Sequence, residues 1–210
     1  MAVSSRGEAS RAAVLAVAVA VASAGGLESL TIGMLATQLG RSKSGLITLF
    51  GSKTGLQLAV VGEARRVFGL AIGQRLATQP SGWPQTWRLV EAWMAYEHDG
   101  VFPGGCLLCS LSMEYASRSG PVRDAVGRLN QEWLTALATA AKRDTAKGLL
   151  PPGTDPGQVA FGMRAVFLAT SWQWKLLGEA AAFARGRGLA TAVLGVPQPA
   201  SRPAGAGRPR

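Results

Sequence analysis

The chain has 210 residues, 48% of them apolar and 16% charged, which excludes wholesale disorder and allows a buried core. Its formal net charge of +10 favours a polyanionic partner, either a nucleic acid or an anionic membrane surface. One histidine and two cysteines leave little for a metal site or a Ser-His-Asp triad, and they exclude a disulfide-rich scaffold. We therefore expect no catalytic residues, no metal and no cofactor.

The N-terminal region resembles a signal peptide in composition. Arg11 is followed by eleven residues, 12–22, drawn only from alanine, valine and leucine, and then by small residues. The run is shorter than the roughly 20 apolar residues that a membrane span needs. We interpret it as a buried helix ended by Gly25 and Gly26, in a cytoplasmic protein without a membrane partner. An exported cationic protein remains the alternative.

Two short helices separated by a glycine-containing turn are predicted next. Thr31 is a good N-cap for the first helix, and Gly40 supplies a residue suited to its end. The apolar face of this helix is formed by Ile32, Leu35, Ala36 and Leu39. Ser42 caps the second helix, and its buried stripe is formed by Leu46, Leu49 and Phe50. This order of caps, glycine and apolar residues is typical of a helix-turn-helix.

The outward side of the second helix suits DNA. Eight residues make a helix about 12 Å long, which matches a major groove about 12 Å wide. Its outward cation, hydroxyls and methyl-bearing side chain suit phosphates, base edges and thymine methyls. Ser52 caps a further helix, whose free amides with Lys53 make a phosphate clamp. The predicted DNA contacts are Thr31, Arg41, Ser42, Lys43, Ser44, Ile47, Thr48, Ser52 and Lys53. The alternative is an ordinary helical bundle with a solvated polar face.

Residues 6–62 resemble the DNA-binding domain of the tetracycline-repressor (TetR) family. The matching residues are Leu30-Thr31-Ile32, Leu35-Ala36, Gly40-Arg41-Ser42-Lys43-Ser44-Gly45-Leu46, Phe50-Gly51-Ser52-Lys53 and Leu56. Ile47 and Leu49 stand where the family has a tyrosine and an aromatic residue or histidine, so we expect those phosphate contacts to be lost. Val21 replaces a phenylalanine of the first helix. The resemblance implies a three-helix head over residues 1–62.

The rest of the chain keeps helical apolar spacing, so we predict an all-α protein with a larger helical body over residues 63–196. The predicted body helices span 53–77, 84–98, 106–118, 122–147, 156–177 and 179–194. Phe102-Pro103-Gly104-Gly105-Cys106, Glu114-Tyr115 and Gly120-Pro121-Val122-Arg123 resemble the C-terminal domain of an actinobacterial-type subgroup of the same family. This resemblance implies a small-molecule site and a homodimer built from the last two long helices.

All six tryptophans lie in the body, which favours an apolar, aromatic-lined effector pocket there. The predicted pocket residues are Trp87, Met94, Cys109, Met113, Glu114, Trp133 and Trp172. For any single tryptophan, a place in the core is the stronger interpretation. The predicted dimer contacts are Val159, Met163, Phe167 and Trp174, because apolar residues at this spacing are more than one adjacent helix covers.

Cys106 and Cys109 form a Cys-x-x-Cys at a predicted helix start, where the helix dipole lowers the pKa of the first thiol. Without a βαβ context or a second pair, redox or zinc chemistry is only weakly indicated, and two buried small residues are the alternative. His98 precedes Asp99 and Gly100 at a predicted helix end, which favours an exposed or satisfied histidine over a ligand.

The C-terminal residues 197–210 are predicted to be a disordered tail rich in proline and arginine. The 26 residues from Arg185 onward carry five arginines and no acid, half of the net charge. These arginines could attract phosphates, or the tail could be solvated without a dedicated role.

The function implied by the resemblance is that of a homodimeric transcriptional regulator, more often a repressor. It would leave double-stranded palindromic operator DNA when a small hydrophobic effector binds. The rival is an α-helical enzyme or carrier that uses the tryptophan-rich body, which lacks a candidate nucleophile and base pair.

Overall fold

The computed structural model describes residues 5–200. Within this range the chain forms nine α-helices and no strand, which confirms the all-α prediction. The helices are α1(Ser5–Gly25), α2(Ile32–Gln38), α3(Lys43–Phe50), α4(Lys53–Thr78), α5(Gln85–His98), α6(Leu107–Tyr115), α7(Pro121–Ala146), α8(Pro156–Leu177) and α9(Ala181–Leu194). Residues 201–210, most of the predicted disordered tail, lie outside the described residues, and residues 197–200 have no regular secondary structure.

Helix α1 is the N-terminal apolar run extended at both ends, and it packs against α2, α4 and α6. It ends at Gly25, and Gly26 follows with a φ of +84°, as the sequence predicts. Among the described residues, one stretch, 7–25 in α1, is long and apolar enough to cross a membrane by length and composition. Its inner side is buried in the core of the chain, as expected for a core helix. These inner residues are Val14, Leu15, Ala18, Val19 and Ala22.

Helix α4 is shared by the head and the body. Its first half packs on α1 and α3, and its second half packs on α5 and α7. Phe68 makes edge-on contacts with Tyr96 of α5 and Trp133 of α7, with ring centroids 5.2 and 5.0 Å apart. The predicted boundary between residues 62 and 63 therefore lies inside the continuous helix α4, which runs from the head into the body.

A buried carboxylate from α7 caps α5. Pro84 precedes α5 and supplies no side-chain cap. Asp144 takes this role from α7, because it accepts hydrogen bonds from the amides of Gln85 and Thr86 at 2.9 and 2.7 Å and from the Thr86 hydroxyl at 2.5 Å. The carboxylate also complements the positive end of the α5 dipole. This contact joins two of the helices that surround the body core.

Most of the predicted dimer contacts belong instead to the core of their own chain. Val159, Met163 and Phe167 are buried, and Phe167 stacks on Trp93 with ring centroids 4.4 Å apart. Trp174 is partly buried against Phe183. The prediction was wrong for the three buried residues because α8 is apolar on two sides, and spacing alone does not say which side faces inward.

The outer side of α8 and α9 carries a separate set of large apolar side chains, which we call the α8–α9 apolar face. Along α8 its residues recur at helical spacing, and α9 adds one more. The members of this face are Phe161, Trp172, Leu176 and Leu189, which are 69%, 57%, 67% and 47% exposed. Apolar residues this exposed and this close together are typical of a surface that another protein covers.

Candidate DNA interface and effector site

Helices α2 and α3 begin with the predicted N-cap residues, Thr31 and Ser42. The Thr31 hydroxyl accepts a hydrogen bond from the Met34 amide, and the Ser42 hydroxyl accepts one from the Gly45 amide, each at 3.1 Å. Gly40, between the helices, has a φ of +60°, a conformation that glycine adopts without strain. The inner residues of both helices are buried in the head, so the two helices are held in one fixed arrangement. These inner residues are Leu35, Ala36, Leu46 and Phe50.

The outer side of α3 is exposed, as a DNA-reading helix requires. Lys43, Ser44, Ile47 and Thr48 are all exposed, and half of the Ile47 side chain is accessible. The Thr48 hydroxyl donates to the Ser44 carbonyl at 3.0 Å within the helix. This bond uses the hydroxyl proton and leaves the oxygen able to accept and the methyl group exposed. On this side the helix presents a cation, a serine hydroxyl and two methyl-bearing side chains.

Two arginine side chains form hydrogen bonds between α1 and the helix-turn-helix. Arg41, exposed just before α3, donates a hydrogen bond to the Ser10 hydroxyl. Arg11 donates to the Leu49 carbonyl at 3.1 Å, and its guanidinium lies 4.9 Å from the centre of the Phe50 ring. Arg11 thus holds the C-terminal end of α3, a role that the sequence analysis missed. No local spacing marks it, because its partner lies 38 residues away.

The start of α4 has the predicted N-cap, Ser52, but Lys53 forms an ion pair with Glu28 that the sequence did not predict. The Ser52 hydroxyl accepts from the Gly55 amide at 3.0 Å. The Lys53 ammonium donates to the Glu28 carbonyl at 2.9 Å and to the Glu28 carboxylate at 3.1 Å. Lys53 was predicted to clamp a phosphate, yet in the structure it ties α4 to the segment before α2. Its side chain is still 45% exposed, so a phosphate could share the ammonium.

Glu28 joins the head to the C-terminal end of α6. Its carboxylate accepts hydrogen bonds from the Tyr115 hydroxyl at 2.7 Å and from the Gln57 amide at 3.1 Å. Together with Lys53, these donors lower the pKa of Glu28, the Tyr115 hydroxyl most of all. The carboxylate also keeps the Tyr115 hydroxyl protonated, because both burial and the negative charge of Glu28 raise the pKa of Tyr115.

Glu114 makes the second contact between α6 and the head. Its two carboxylate oxygens accept from the backbone amides of Leu27 and Glu28, at 2.9 and 2.8 Å. An added Cβ on Gly26, whose φ is +84°, would lie 3.3 Å from the same carboxylate. Glu114 was predicted to line the effector pocket. It faces the head instead, because the free amides before α2 attract a carboxylate.

The opposite side of α6 lines a cavity of about 260 Å³ between α6 and α8. It brings together three of the predicted pocket residues, Cys109, Met113 and Trp172. A neighbouring cavity of about 360 Å³ also has Met113 and Leu168 in its lining, and we call the two adjacent cavities together the groove along α6. The first cavity is lined by Gly104, Cys106, Cys109, Ser110, Met113, Leu168, Ser171, Trp172, Lys175 and Leu176.

The other predicted pocket residues lie elsewhere. Trp87 and Met94 are completely buried in the core of the body. Trp133 is buried against Phe68 and borders a separate surface cavity between α4 and α7. The sequence could not separate core from pocket, because both demand the same large apolar side chains. Among the described residues, no group of three or more histidines, cysteines or carboxylates could hold a metal ion.

A buried carboxylate lies next to Ser171, one of the residues that line the groove. Glu97 of α5 is 1% exposed, and its Oε1 accepts a hydrogen bond from the Ser171 hydroxyl at 2.8 Å. Its Oε2 is buried without a hydrogen-bond partner. Burial raises the pKa of Glu97. The Ser171 hydroxyl, the Cys106 amide and the positive charge of Lys175 only partly offset that rise in pKa.

The body matches a known family model over residues 82–189, just over half of the chain. The model is described as "Tetracyclin repressor-like, C-terminal domain". The chain belongs to the TetR family.

Solved structures of TetR-family regulators share the whole fold. A regulator from Chloroflexus aurantiacus superposes with a TM-score of 0.81 at 22% identity, covering 90% of this chain and 96% of that one. A regulator from Cytophaga hutchinsonii gives 0.80 at 17% identity, covering 92% and 97%. One from Agrobacterium tumefaciens gives 0.73 at 19% identity, covering 90% and 95%. The search of curated proteins found no match.

Membership of the TetR family establishes the coarse function. The chain is a DNA-binding transcriptional regulator and not an enzyme, so the rival interpretation of the tryptophan-rich body as an active site is dropped.

Proposed function

We propose that this TetR-family regulator is a cytoplasmic repressor that binds a palindromic operator as a homodimer and leaves it when a small hydrophobic effector binds beside α6. The observation that carries the proposal is the double hydrogen bond from the Leu27 and Glu28 amides to Glu114. It connects the helix that lines the groove with the segment that leads into α2.

The DNA contacts follow from the exposed surface of the head. Lys43, Ser44, Ile47 and Thr48 would enter the major groove on α3, with Arg41 beside them. Thr31, Ser42 and Ser52 cap helix starts, where free amides favour a phosphate oxygen. Ile47 replaces a tyrosine of the family pattern, so one phosphate contact is expected to be lost. We therefore expect base contacts to provide a larger share of the DNA affinity than in family members that keep this tyrosine.

The α8–α9 apolar face would form the dimer. A second copy related by a two-fold axis places the same apolar residues against each other. That symmetry also places two α3 helices on half-sites about one helical turn, or 34 Å, apart. The proposal assigns the contact to Phe161, Trp172, Leu176 and Leu189 rather than to the buried stripe of α8.

An effector in the groove would act through α6. The groove is lined mainly by apolar side chains with a few polar groups, which suits a small hydrophobic ligand. A ligand that displaces α6 moves Glu114 and Tyr115, and with them the segment before α2. The ligand stabilises the dimer conformation to which it binds most tightly. Operator affinity falls if the distance between the two heads in that conformation does not match the spacing of the half-sites.

Selection from a pool of random duplexes tests the DNA-binding part. The full-length protein should enrich an inverted repeat, and Lys43→Ala should weaken this enrichment while leaving the helical circular dichroism spectrum unchanged. Lys147→Ala, a cation at the far end of α7, serves as the control and should enrich the same repeat. Enrichment of no sequence, or of a single half-site without symmetry, would contradict the proposal.

The groove can be tested with the apolar dye 1-anilinonaphthalene-8-sulfonate. We expect the dye to bind the folded protein and to lower its affinity for the selected duplex. Leu168→Trp should block both effects, because Leu168 lines both cavities of the groove. Leu70→Trp, on the exposed side of α4, is the matched control and should leave dye binding unchanged. Equal dye binding by the two variants would place the effector site elsewhere.

A further inference from the structure

The two cysteines of the chain lie together at the start of α6. Cys106 is the N-cap residue of α6, and the amide of Cys109 donates to the Cys106 carbonyl at 3.0 Å in the first turn. Both thiols are free, and both line the 260 Å³ cavity. Cys109 is the third residue of α6, so the two thiols lie within one turn of each other at the same end of the helix. This is the Cys-x-x-Cys spacing at which reversible disulfides occur.

The cavity gives small molecules a route to this pair. Ser110 and Met113 are exposed and stand on the α6 side of its rim. The cavity volume is several times the roughly 30 Å³ that a water molecule occupies in the liquid, so hydrogen peroxide fits inside. The two cysteines are 2% and 5% exposed, which protects them from larger thiol reagents but not from a small oxidant.

We propose that Cys106 and Cys109 form a reversible thiol switch: a small peroxide oxidises them to an intramolecular disulfide, and this lowers affinity for the operator. The inference rests on the proposed function, because it takes α6 as the link between the groove and the head. It adds oxidants to the hydrophobic effector as a chemical class to which the protein responds.

The two thiols have different roles in the reaction. Burial and the negative charge of Glu97 raise the pKa of Cys106. Hydrogen bonds from the thiol and amide of Cys109 and from the Trp93 side chain outweigh both, and the net pKa is lowered. The pKa of Cys109 is raised, first because it donates this hydrogen bond and then because it is buried. Cys106 is therefore the nucleophile and Cys109 keeps its proton.

The reaction is a two-electron oxidation of the pair by one peroxide. The Cys106 thiolate attacks one peroxide oxygen, the O–O bond breaks, and the departing hydroxide takes a proton to become water. The resulting sulfenic acid is attacked by the Cys109 sulfur, which loses its proton as a second water leaves. Two thiols and one hydrogen peroxide thus give one disulfide and two waters. A dithiol reductant reverses the change.

Side-chain contacts of α6 connect the cysteine pair with α8 and with the head. Arg164 of α8 contacts the Cys109 sulfur at 3.5 Å, the Ser112 hydroxyl at 2.7 Å and the Leu108 carbonyl at 3.2 Å. Forming the S–S bond draws the Cys109 sulfur toward Cys106 and weakens its contact with Arg164. The contact between α6 and α8 is thereby altered near the start of α6. The other end of α6 accepts hydrogen bonds from the Leu27 and Glu28 amides through Glu114.

The test compares reduced and oxidised full-length protein. Protein treated with one equivalent of hydrogen peroxide should lose the mass of two hydrogen atoms per chain and both free thiols, and should show no cross-linked dimer on a non-reducing gel. Its affinity for the duplex recovered by selection should fall about tenfold, within the usual range of coupling between sites. Dithiothreitol should restore both the mass and the affinity.

Single-cysteine variants separate the disulfide from other damage. Cys109→Ala and Cys106→Ala should each bind the duplex when reduced, and should keep their affinity within about twofold after the same peroxide treatment. Failure to form the intramolecular disulfide, or a disulfide that leaves wild-type affinity unchanged, would overturn the switch. So would an equal loss of affinity in Cys109→Ala. If the reduced wild-type protein selects no duplex, the proposed function fails instead, and the mass measurement still reports on the disulfide.

Discussion

Glu97 carries a carboxyl group buried in the core of the body. Its carboxyl group lies in the core with one hydrogen bond from Ser171 and one oxygen without a partner. The pKa of the group is raised by burial, so the folded protein holds this proton more tightly than the unfolded chain does. Its contribution to stability therefore becomes less favourable as pH rises from about 4.3, the ordinary glutamate pKa, through the raised value.

Glu97→Gln removes this pH-dependent cost while keeping an oxygen that can accept from Ser171. We expect the variant to unfold at a higher temperature than the wild type at pH 7, with the difference shrinking toward zero as pH approaches 4. Glu132→Gln, an exposed glutamate paired with Arg65, is the control and should change stability by less than about 1 kcal/mol. A Glu97→Gln protein less stable than the wild type at pH 7 would show that the ionised carboxylate is favourable where it lies.

We expect Thr48 to contact DNA through its methyl group, because its hydroxyl proton is donated to the Ser44 carbonyl. Thr48→Val keeps a methyl at this place and should keep the base preference at the contacted position. Thr48→Ser should lose the preference for thymine by about fourfold, the equivalent of about 0.8 kcal/mol for one buried carbon group. Competition between duplexes that differ at single positions measures both variants. A larger change in Thr48→Val than in Thr48→Ser would assign the contact to the hydroxyl.

Helices α5 and α7 depend on each other through Asp144. Asp144→Asn keeps the size of the side chain but replaces one acceptor oxygen with a donor, which faces the amides of α5. Hydrogen bonds to charged groups contribute about 1.5–3 kcal/mol, so we expect a loss of about 2 kcal/mol in the free energy of unfolding. Chemical denaturation measures it.

Asp155→Asn is the matched control for that variant. Asp155 is exposed and caps the start of its own helix, α8, through the Gly157 amide. Asparagine is as good an N-cap as aspartate, so we expect almost no change in stability. Equal effects of the two substitutions would show that Asp144 is no more than a local cap.

The helices themselves were predictable from local signals. Thr31, Ser42 and Ser52 cap α2, α3 and α4 as the sequence indicates, and Gly26 and Gly40 take the left-handed conformation that ends a helix. The predicted helix over 106–118 is shorter in the structure, where α6 ends at Tyr115. The residues after it pass toward Gly120 and the proline that begins α7.

The contacts between helices were harder to predict, because no local pattern encodes them. Glu114 meets Leu27 across 87 residues, and in the sequence it looks like any polar residue near an apolar stretch. Phe167 and Trp172 lie on the same helix at a spacing that does not distinguish the core from the outer face. The exposed residues of α3 were identifiable because a short helix with one buried stripe leaves only one outer side.

We expect the α8–α9 apolar face to form the dimer interface. Leu189→Glu places a charge on this face without touching the cavity beside α6. A buried, unpaired charge in each copy should split the dimer into monomers that remain helical. Sedimentation velocity at micromolar concentration measures the change. Leu70→Glu, at a similarly exposed position on α4, should leave the dimer intact. A Leu189→Glu protein that sediments as a dimer would place the interface on another surface.

If the proposed function is correct, two copies of this chain read one symmetric duplex with their α3 helices. Native mass spectrometry of the full-length protein with the selected duplex tests it most directly, with a second duplex in which one half-site is scrambled. We expect two chains on the intact duplex, and at least a tenfold weaker complex on the scrambled one, since each half-site carries several base contacts. One chain per duplex, or equal binding to both duplexes at physiological salt, would contradict the account.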